Sequence, residues 1–538
     1  MKIAEGGRAL IKTDVKIKIG YSVCDLKSAV CAKLPIALDE LSEIRVLRQR
    51  LNLSDKSDIH YDLTVGISLS EDRERSLLKM RKKVSEANDL TFTVQKSTLT
   101  SRPVVVGAGP AGLFAALVLA ESGARPIVYE RGLSADDRIK KVELFKRFGI
   151  LDPECNIQFG EGGAGTFSDG KLKYGSPDKY KMKVLREFVA VGAPEEITYS
   201  TSAHLGTDLL PRIVKGLREK IISLGGEVHF SARLTDIKVS NGRVVGGTVV
   251  TEGREEHFEC EHMILAAGHS AEDVFALLKS KGAALEARGF GIGVRIEHKR
   301  EYINKLMYGE DPPEGLGAAS YHLVTHLPSG RSVYSFCMCP GGTVVSAASE
   351  PCGIVTNGMS EFRRDGENSN AAILVSVTPD DFPSDDPLAG IALQRSIEKR
   401  AYSISSDYRA PVQMLKDFME DKKSTALGEV EPSYRPGVVS EKLSSALPDY
   451  ITDSMREGFL DFDAWLPGYM KSDATLTAPE TRSTSPVRVL RGDDFEACLL
   501  SGLYPIGEGA GYAGGIVSSA RDGVICAEKI LEKAQKCK

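Results

Sequence analysis

Long apolar runs are absent from this chain; the longest spans only residues 113–120. A membrane-spanning helix needs about 20 such residues, so a helical membrane protein is excluded. The opening MKIAEGGRAL lacks the apolar core of a secretory leader, and the expected location is cytoplasmic. Ten cysteines fall without regular spacing, which supports neither a disulfide framework nor a thiolate cluster, and no metal is expected. No charge of either sign dominates. The 69 Lys/Arg against 74 Asp/Glu leave a net −5, too little to favour nucleic acid or anionic lipid as a partner. Repeats, heptads and low-complexity tracts are missing as well. What is there is 42% apolar and 27% charged residues in a chain of 538, a globular composition with room for roughly three or four domains.

The first 98 residues stand apart. They hold 18 Lys/Arg and 14 Asp/Glu, which leaves −9 for the remainder. Alternation through Val15-Lys16-Ile17-Lys18-Ile19 predicts a strand with one wet face. Residues 25–41 read as a helix broken at Pro35, and 73–84 as a second helix carrying the basic cluster Arg81-Lys82-Lys83 on a solvated face. Further strands are expected at 44–47, 61–69 and 90–94. Strands interleaved with two helices suggest a small split βαβ, ferredoxin-like module over residues 1–98, joined onward by a polar linker at 95–102.

Residues 104–130 read VVVGAGPAGLFAALVLAESGARPIVYE. A buried parallel strand, Val104-Val105-Val106, runs into a GxGxxG turn. Gly107 permits the tight turn, Gly109 lets backbone approach a pyrophosphate, and Gly112 lets helix and strand pack closely. Pro110 and Ala111 open the helix, where a missing N–H costs little, and the free N–H groups of that terminus hold phosphate. A second strand at 126–129 ends in Glu130, placed to accept hydrogen bonds from both hydroxyls of a ribose, with Arg131 beside it.

That unit serves NAD and FAD alike; three later segments favour FAD. Residues 160–172, GEGGAGTFSDGKL, carry Gly162, Gly163, Thr166, Ser168 and Asp169, and resemble the loop along pyrophosphate and ring in fumarate-reductase-like flavoproteins. MILAAG at 263–268 resembles the strand ending in Ala-Thr-Gly of such enzymes, with Ala267 in place of threonine and Gly268 making the turn. LYPIGEGAGYAGG at 503–515 precedes a helix with Ile516, Ala520, Val524, Ala527 and Leu531 on one face. In that class of flavoprotein a late Gly-Asp or Gly-Glu reaches the ribityl chain and the next helix aims its N-terminus at the isoalloxazine. Gly507-Glu508 and Gly514-Gly515-Ile516 fill those places, and the terminus would stabilise charge on the reduced ring. Gly107 and Gly507 lie 400 residues apart, which fits one domain assembled from both chain ends.

No second strand–GxGxxG–helix unit follows. Gly289, Gly291 and Gly293 lead into the strand pattern Val294-Arg295-Ile296, and no CxxC or Cx4C pair lies beside the first motif. This argues against the two-nucleotide, disulfide-reducing architecture of glutathione reductase; a reductant such as NAD(P)H would bind transiently, or electrons would come from substrate or a protein.

With these residues in view, the chain resembles the uncharacterised bacterial FAD-dependent dehydrogenases, which combine an N-terminal ferredoxin-like module, an FAD domain and a family-specific C-terminal domain. The resemblance rests on NIQFGEGGAGTFSDGKL (156–172), HLGTDLL (204–210), FCMCPGGTVV (336–345), TRSTSPVR (481–488) and YPIGEGAGYAGGI (504–516). It implies an α/β chain with a Rossmann-like, glutathione-reductase-type FAD domain at 99–275 and 495–538. An α+β substrate or cap domain would be inserted at 276–494. It implies an FAD-dependent oxidoreductase with non-covalent FAD, hydride transfer at flavin N5, and a small-molecule or protein-bound substrate that it does not name.

Candidate chemistry within the cap is sparse. Cys337-Met338-Cys339 could shuttle electrons beside a flavin, but its apolar strand context favours simple packing. Arg482 and Arg488, flanking Ser483-Thr484-Ser485-Pro486, could hold an anionic substrate or pair with acids. His204 is a candidate acid; with Thr207 or Asp208 as N-cap it is expected instead to shape a helix start. The alternative function is a flavin-binding regulatory or RNA- or protein-associated protein that uses the basic N-terminal module.

Overall fold

The computed structural model describes residues 11–79, 83–172, 175–471 and 473–536. Arg81 and Lys82 of the basic cluster lie outside them. Elements β1 (Ile11–Lys18), α1 (Val23–Lys33), β2 (Glu43–Asn52), β3 (His60–Ser68), α2 (Glu71–Leu78) and β4 (Ser85–Glu86) come first. Their sheet runs β2-β3-β1-β4, antiparallel at each pairing, which is the pattern of a split βαβ unit. Alternation sets the faces: Ile11, Thr13, Val15 and Ile17 are buried, and Asp14, Lys16 and Lys18 are exposed.

Both helices start earlier than the pattern suggested. Ser22 accepts from the Asp25 amide while Asp25 returns a bond to the Ser22 amide, a capping box that fixes the start of α1. It ends short of Pro35. Acidic residues Glu71, Asp72 and Glu74 fill the first turn of α2, where they complement the helix dipole. No strand forms at 90–94: residues 87–103 have no regular structure. Phe92, Val94 and Leu99 pack singly on the next core, and the Ser97 amide bonds the Ser122 carbonyl at a helix end. An alternating pattern without a neighbouring strand makes no ladder.

The second unit opens with β5 (Val104–Val106), α3 (Pro110–Ser122) and β6 (Ile127–Tyr129), then reaches β7 (Glu227–His229). A meander follows: β8 (Ala232–Ser240), β9 (Arg243–Thr251) and β10 (Arg254–Glu259); β11 (Met263–Leu265) comes next. The five-stranded parallel sheet runs Leu503–Pro505, β11, β5, β6, β7. The last strand to be made therefore sits at one edge of a sheet begun 400 residues earlier. Helix α3 is apolar all round because it is buried all round: Ala111 to Ala120 are at most 5% exposed. The C-terminal helix Ile516–Lys536 covers it, and buries Ile516, Ala520, Val524, Ala527 and Leu531 as expected. The two helices touch at Gly523, where a Cβ would stand 2.1 Å from the Ala111 carbonyl oxygen.

Between these halves the chain builds a seven-stranded sheet. Its order is Val324–His326, Ser332–Cys339, Asn368–Val377, Phe290–Lys299, Thr475–Glu480, Ala410–Met414, Val438–Ser440. The Gly289–Gly293 spacing thus belongs to a strand start and not to a nucleotide turn. Leu285–Ala287 pairs with Val487–Val489 where the chain enters and leaves this region. Among the described residues no helix is long and apolar enough to cross a membrane.

Candidate functional site

A cavity of about 450 Å³ opens at the carboxyl ends of β5, β6 and β11, with the seven-stranded sheet as its far wall. Open parallel sheets bind ligands at this edge, because loops and helix N-termini converge there. Of the residues expected at a cofactor, Gly107, Gly109, Pro110, Ala111, Glu130, Arg131, Gly163, Ser168, Gly268, Gly507, Glu508, Gly514, Gly515 and Ile516 line it. Segments from both chain ends meet in one space.

The glycines divide by role. Gly107 has φ +99°, and a Cβ there would lie 2.4 Å from the Ala266 carbonyl oxygen; one at Gly112 would lie 1.9 Å from the Gly107 oxygen. Both positions are closed to any side chain. Gly109 is different: a Cβ would meet only the Gly163 Cα, at 3.8 Å, so what it would fill is the cavity. No side chain caps the α3 N-terminus beside it, which leaves backbone N–H groups free for an anion. Gly162 and Thr166 sit behind this wall, where a Cβ on Gly162 would fall 2.1 Å from Thr166 Oγ1. Thr166 donates to the Glu161 carbonyl at 3.2 Å, and Ser168, on the wall, donates to the Gly165 carbonyl at 2.7 Å.

Glu130 is buried, and its carboxylate is already engaged. Oε2 accepts from the Ala108 amide at 2.7 Å, and Oε1 from Gly132 and Gly160 at 2.9 and 3.0 Å. A carboxylate offers about four acceptor positions, so about one remains. Glu130 can take one ribose hydroxyl in this geometry, not the two expected, because it also ties the phosphate turn to the 160s loop. Arg131 is paired with Glu154 and Asp273 and lies over Phe159.

On the opposite side Gly268, Gly514 and Gly515 have no heavy atom within 4 Å of a built Cβ, a cradle open to a ligand. His269 lines the same wall, and its buried Nε2 has no partner. Burial, reinforced by Arg482, pulls its pKa down to about 4, so it is a neutral ring. Its Nδ1 is 3.7 Å from Glu508 Oε1. The unpartnered nitrogen and the glycine cradles fit a nucleotide cofactor that supplies both phosphate and polar ring atoms.

Desolvation pushes Glu508 up to about 7 from an ordinary 4.5. The folded chain then keeps a proton that the unfolded chain has lost, so the contribution of Glu508 is full below pH 4.5 and declines towards pH 7. FAD-free Glu508→Gln should therefore melt above the FAD-free native chain at pH 8 and level with it at pH 5. Equal melting temperatures at both pH values would contradict this.

The other expected residues are placed as follows. Arg482 lines the cavity, but its Nε and Nη2 bond Glu398 at 2.9 and 3.0 Å, with Ser349 and Glu272 taking further bonds. The guanidinium is committed to buried Glu398 and to partly exposed Glu272, so of the two readings it is the pairing with acids that the structure has at Arg482. Arg488 is outside the cavity, beside Glu286 and the Tyr512 ring. His204 is outside too: its Nε2 meets the Phe362 carbonyl at 2.8 Å and its ring stacks on Phe362. The N-cap there is Leu205, not Thr207 or Asp208; Thr207 donates to the Thr166 carbonyl, and Asp208 accepts from the Phe362 amide. Cys337 lines the cavity, and Cys339 is buried behind it.

Sequence reasoning missed the charged pairs of the far wall. Arg295 is fully buried and forks onto Glu480, at 2.5 and 3.0 Å. Asp169 is forked by Arg364, at 2.9 and 2.5 Å; against its burial, Arg364 and Lys171 hold it below the usual carboxylate range. The signal for Arg295 was available: one arginine inside the apolar run GIGVRI (291–296) requires a buried partner.

A parallel α/β sheet with a glycine-lined phosphate turn and an acid after its second strand defines a dinucleotide-cofactor protein. Residues 289–483 match the family described as FAD-dependent protein, C-terminal domain-like. An uncharacterised protein of Clostridium beijerinckii is 44% identical over 520 residues, covering 94% of this chain and 96% of that one. The chain belongs to this FAD-dependent protein family. Among solved structures, the chain is similar to E. coli quinol fumarate reductase FrdA, at 12% identity, 81% and 71% coverage of the two chains and TM-score 0.38. The flavin-dependent brominase Bmp2 stands at 11%, 81% and 79%, and 0.36. The 3-ketosteroid-delta4-(5alpha)-dehydrogenase of Rhodococcus jostii stands at 13%, 82% and 99%, and 0.33.

Proposed function

We propose that the chain is an FAD-dependent oxidoreductase that holds FAD non-covalently in this cavity and exchanges hydride with an organic substrate at flavin N5. The observation that carries the reading is the meeting, in one cavity, of the early glycine turn, the late Gly507-Glu508 turn and a wall from the inserted sheet. On this reading residues 99–275 and 495–538 form the FAD domain, 276–494 the cap, and 1–98 a separate module. When bound, the flavin supplies the hydride chemistry itself. The α3 N-terminus and Gly109 hold the pyrophosphate, and Glu130 takes one ribose hydroxyl. Glu508 and neutral His269 offer polar contacts along the chain between phosphate and ring. The terminus at Gly514-Gly515 favours electron density on the ring, while the cap wall keeps water from the reacting face.

The test is anaerobic. Purified holoprotein should be yellow, bleach with an electron donor such as NADH, NADPH or a reduced dye, and pass the electrons to a dye acceptor in repeated turnovers. A protein that binds flavin, turns over no acceptor and instead retains RNA or a protein partner would overturn the enzymatic reading in favour of a regulatory one.

A further inference from the structure

We propose that Cys337 and Cys339 form a redox-active dithiol that exchanges an electron pair with the flavin of the same cavity; the proposal rests on the FAD reading above. The pair lies at the end of Ser332–Cys339, whose pairing with Asn368–Val377 slips by one residue between Phe336 and Cys339. Such a slip is a β-bulge, which bends the strand and re-aims side chains. Cys337 takes φ +41° there, a conformation costly for a residue with a Cβ and typical of sites where function outweighs strain.

The bulge has two results. Cys337 is turned onto the cavity wall while Cys339 stays wholly buried behind it. Cys339 Sγ donates to the Cys337 carbonyl oxygen at 3.3 Å. The second sulfur is thus folded back onto residue 337. Two cations reach the backbone of the pair: buried Arg295, itself forked onto Glu480, donates to the Cys337 carbonyl at 2.8 Å, and Lys171, beside Asp169, donates to that of Met338. The Cys339 hydrogen bond, then Arg295 and Lys171, outweigh burial and hold Cys337 below the ordinary thiol range, while burial pushes Cys339 up.

Access sets the roles: Cys337, on the cavity wall, is the nucleophile, and wholly buried Cys339 resolves. A pair that only packed would keep both sulfurs in the core without a positive neighbour. Oxidation breaks two S–H bonds, forms the Cys337 Sγ–Cys339 Sγ bond and releases two electrons and two protons. The oxidised flavin ring takes up both electrons with one proton, and the second proton passes to solvent. In reverse, a reduced flavin regenerates the dithiol, which reduces a disulfide-bearing molecule entering the cavity by thiol–disulfide exchange.

The test counts labels. Holoprotein is held anaerobically in glutathione buffers from reducing to oxidising, quenched in acid, alkylated and digested with trypsin. The peptide 332–363 carries Cys337, Cys339 and Cys352. It should bear three labels when reduced and only that on Cys352 when oxidised. Photoreduction of the flavin in oxidised holoprotein should restore all three. Cys339→Ser should keep its FAD, melt as the native chain does, and show no loss of two labels in any buffer. Full labelling of FAD-loaded native protein in every buffer would overturn the proposal, as would a disulfide that ignores the redox state of the flavin. Failure of the FAD reading is separate: it shows as a missing flavin spectrum before any labelling.

Discussion

Gly109→Val should fold and lose its cofactor. A Cβ at 109 meets nothing closer than 3.8 Å within the protein, so valine costs the apoprotein little. Its methyl groups project instead beside the free α3 N-terminus, into the space a pyrophosphate needs. The expected loss is at least ~100-fold in FAD affinity, about 2.8 kcal/mol, with circular dichroism unchanged and melting close to that of native apoprotein. The same substitution at Gly107 or Gly112 would instead strike backbone at 2.4 and 1.9 Å and disturb the fold. Equilibrium titration of the three apoproteins with FAD, with circular dichroism for each, separates the two modes. Full flavin occupancy in Gly109→Val would place the pyrophosphate elsewhere.

Arg482→Met should cost about 1.5–3 kcal/mol of stability, because it strips two charge-assisted hydrogen bonds from buried Glu398, which keeps only Arg395 and Thr481 as partners. Glu398 is 0% exposed and meets Arg482 in a two-pronged contact. Replacing both partners, Arg482→Met with Glu398→Met, should recover part of the loss, since the buried carboxylate goes with its arginine while Arg395 keeps Glu272 at 3.8 Å. Urea unfolding of the two variants measures it. An Arg482→Met protein as stable as the native chain, but altered in turnover, would return this arginine to the substrate site that its sequence context suggested.

That contrast shows what the sequence can carry. The first dinucleotide unit was legible because its steps are local: strand, three glycines, helix, strand and acid fall within 27 residues. The late half was legible because Gly507-Glu508 and Gly514-Gly515 repeat a local pattern. Partners set by tertiary packing were not legible. Nothing near Arg482 in the chain names Glu398, 84 residues away, and nothing near Arg295 names Glu480, at 185. The strand expected at 90–94 failed for the same reason, since its alternation was real but its neighbour is a helix. For the two cysteines the sequence offers both electron shuttling and packing, with the apolar strand favouring packing; the one-residue bulge at Cys337 is a property of the pairing with Asn368–Val377, invisible along either strand alone.

The central claim is that a single cavity, built from both ends of the chain, holds FAD. Protein purified without added flavin, or reconstituted with FAD and desalted, is precipitated with acid, and the supernatant is chromatographed against FAD, FMN and riboflavin. The expected product is FAD, released without proteolysis and approaching one equivalent per chain. FMN alone, flavin that stays covalently in the pellet, or a chain that takes up no flavin at all would contradict it.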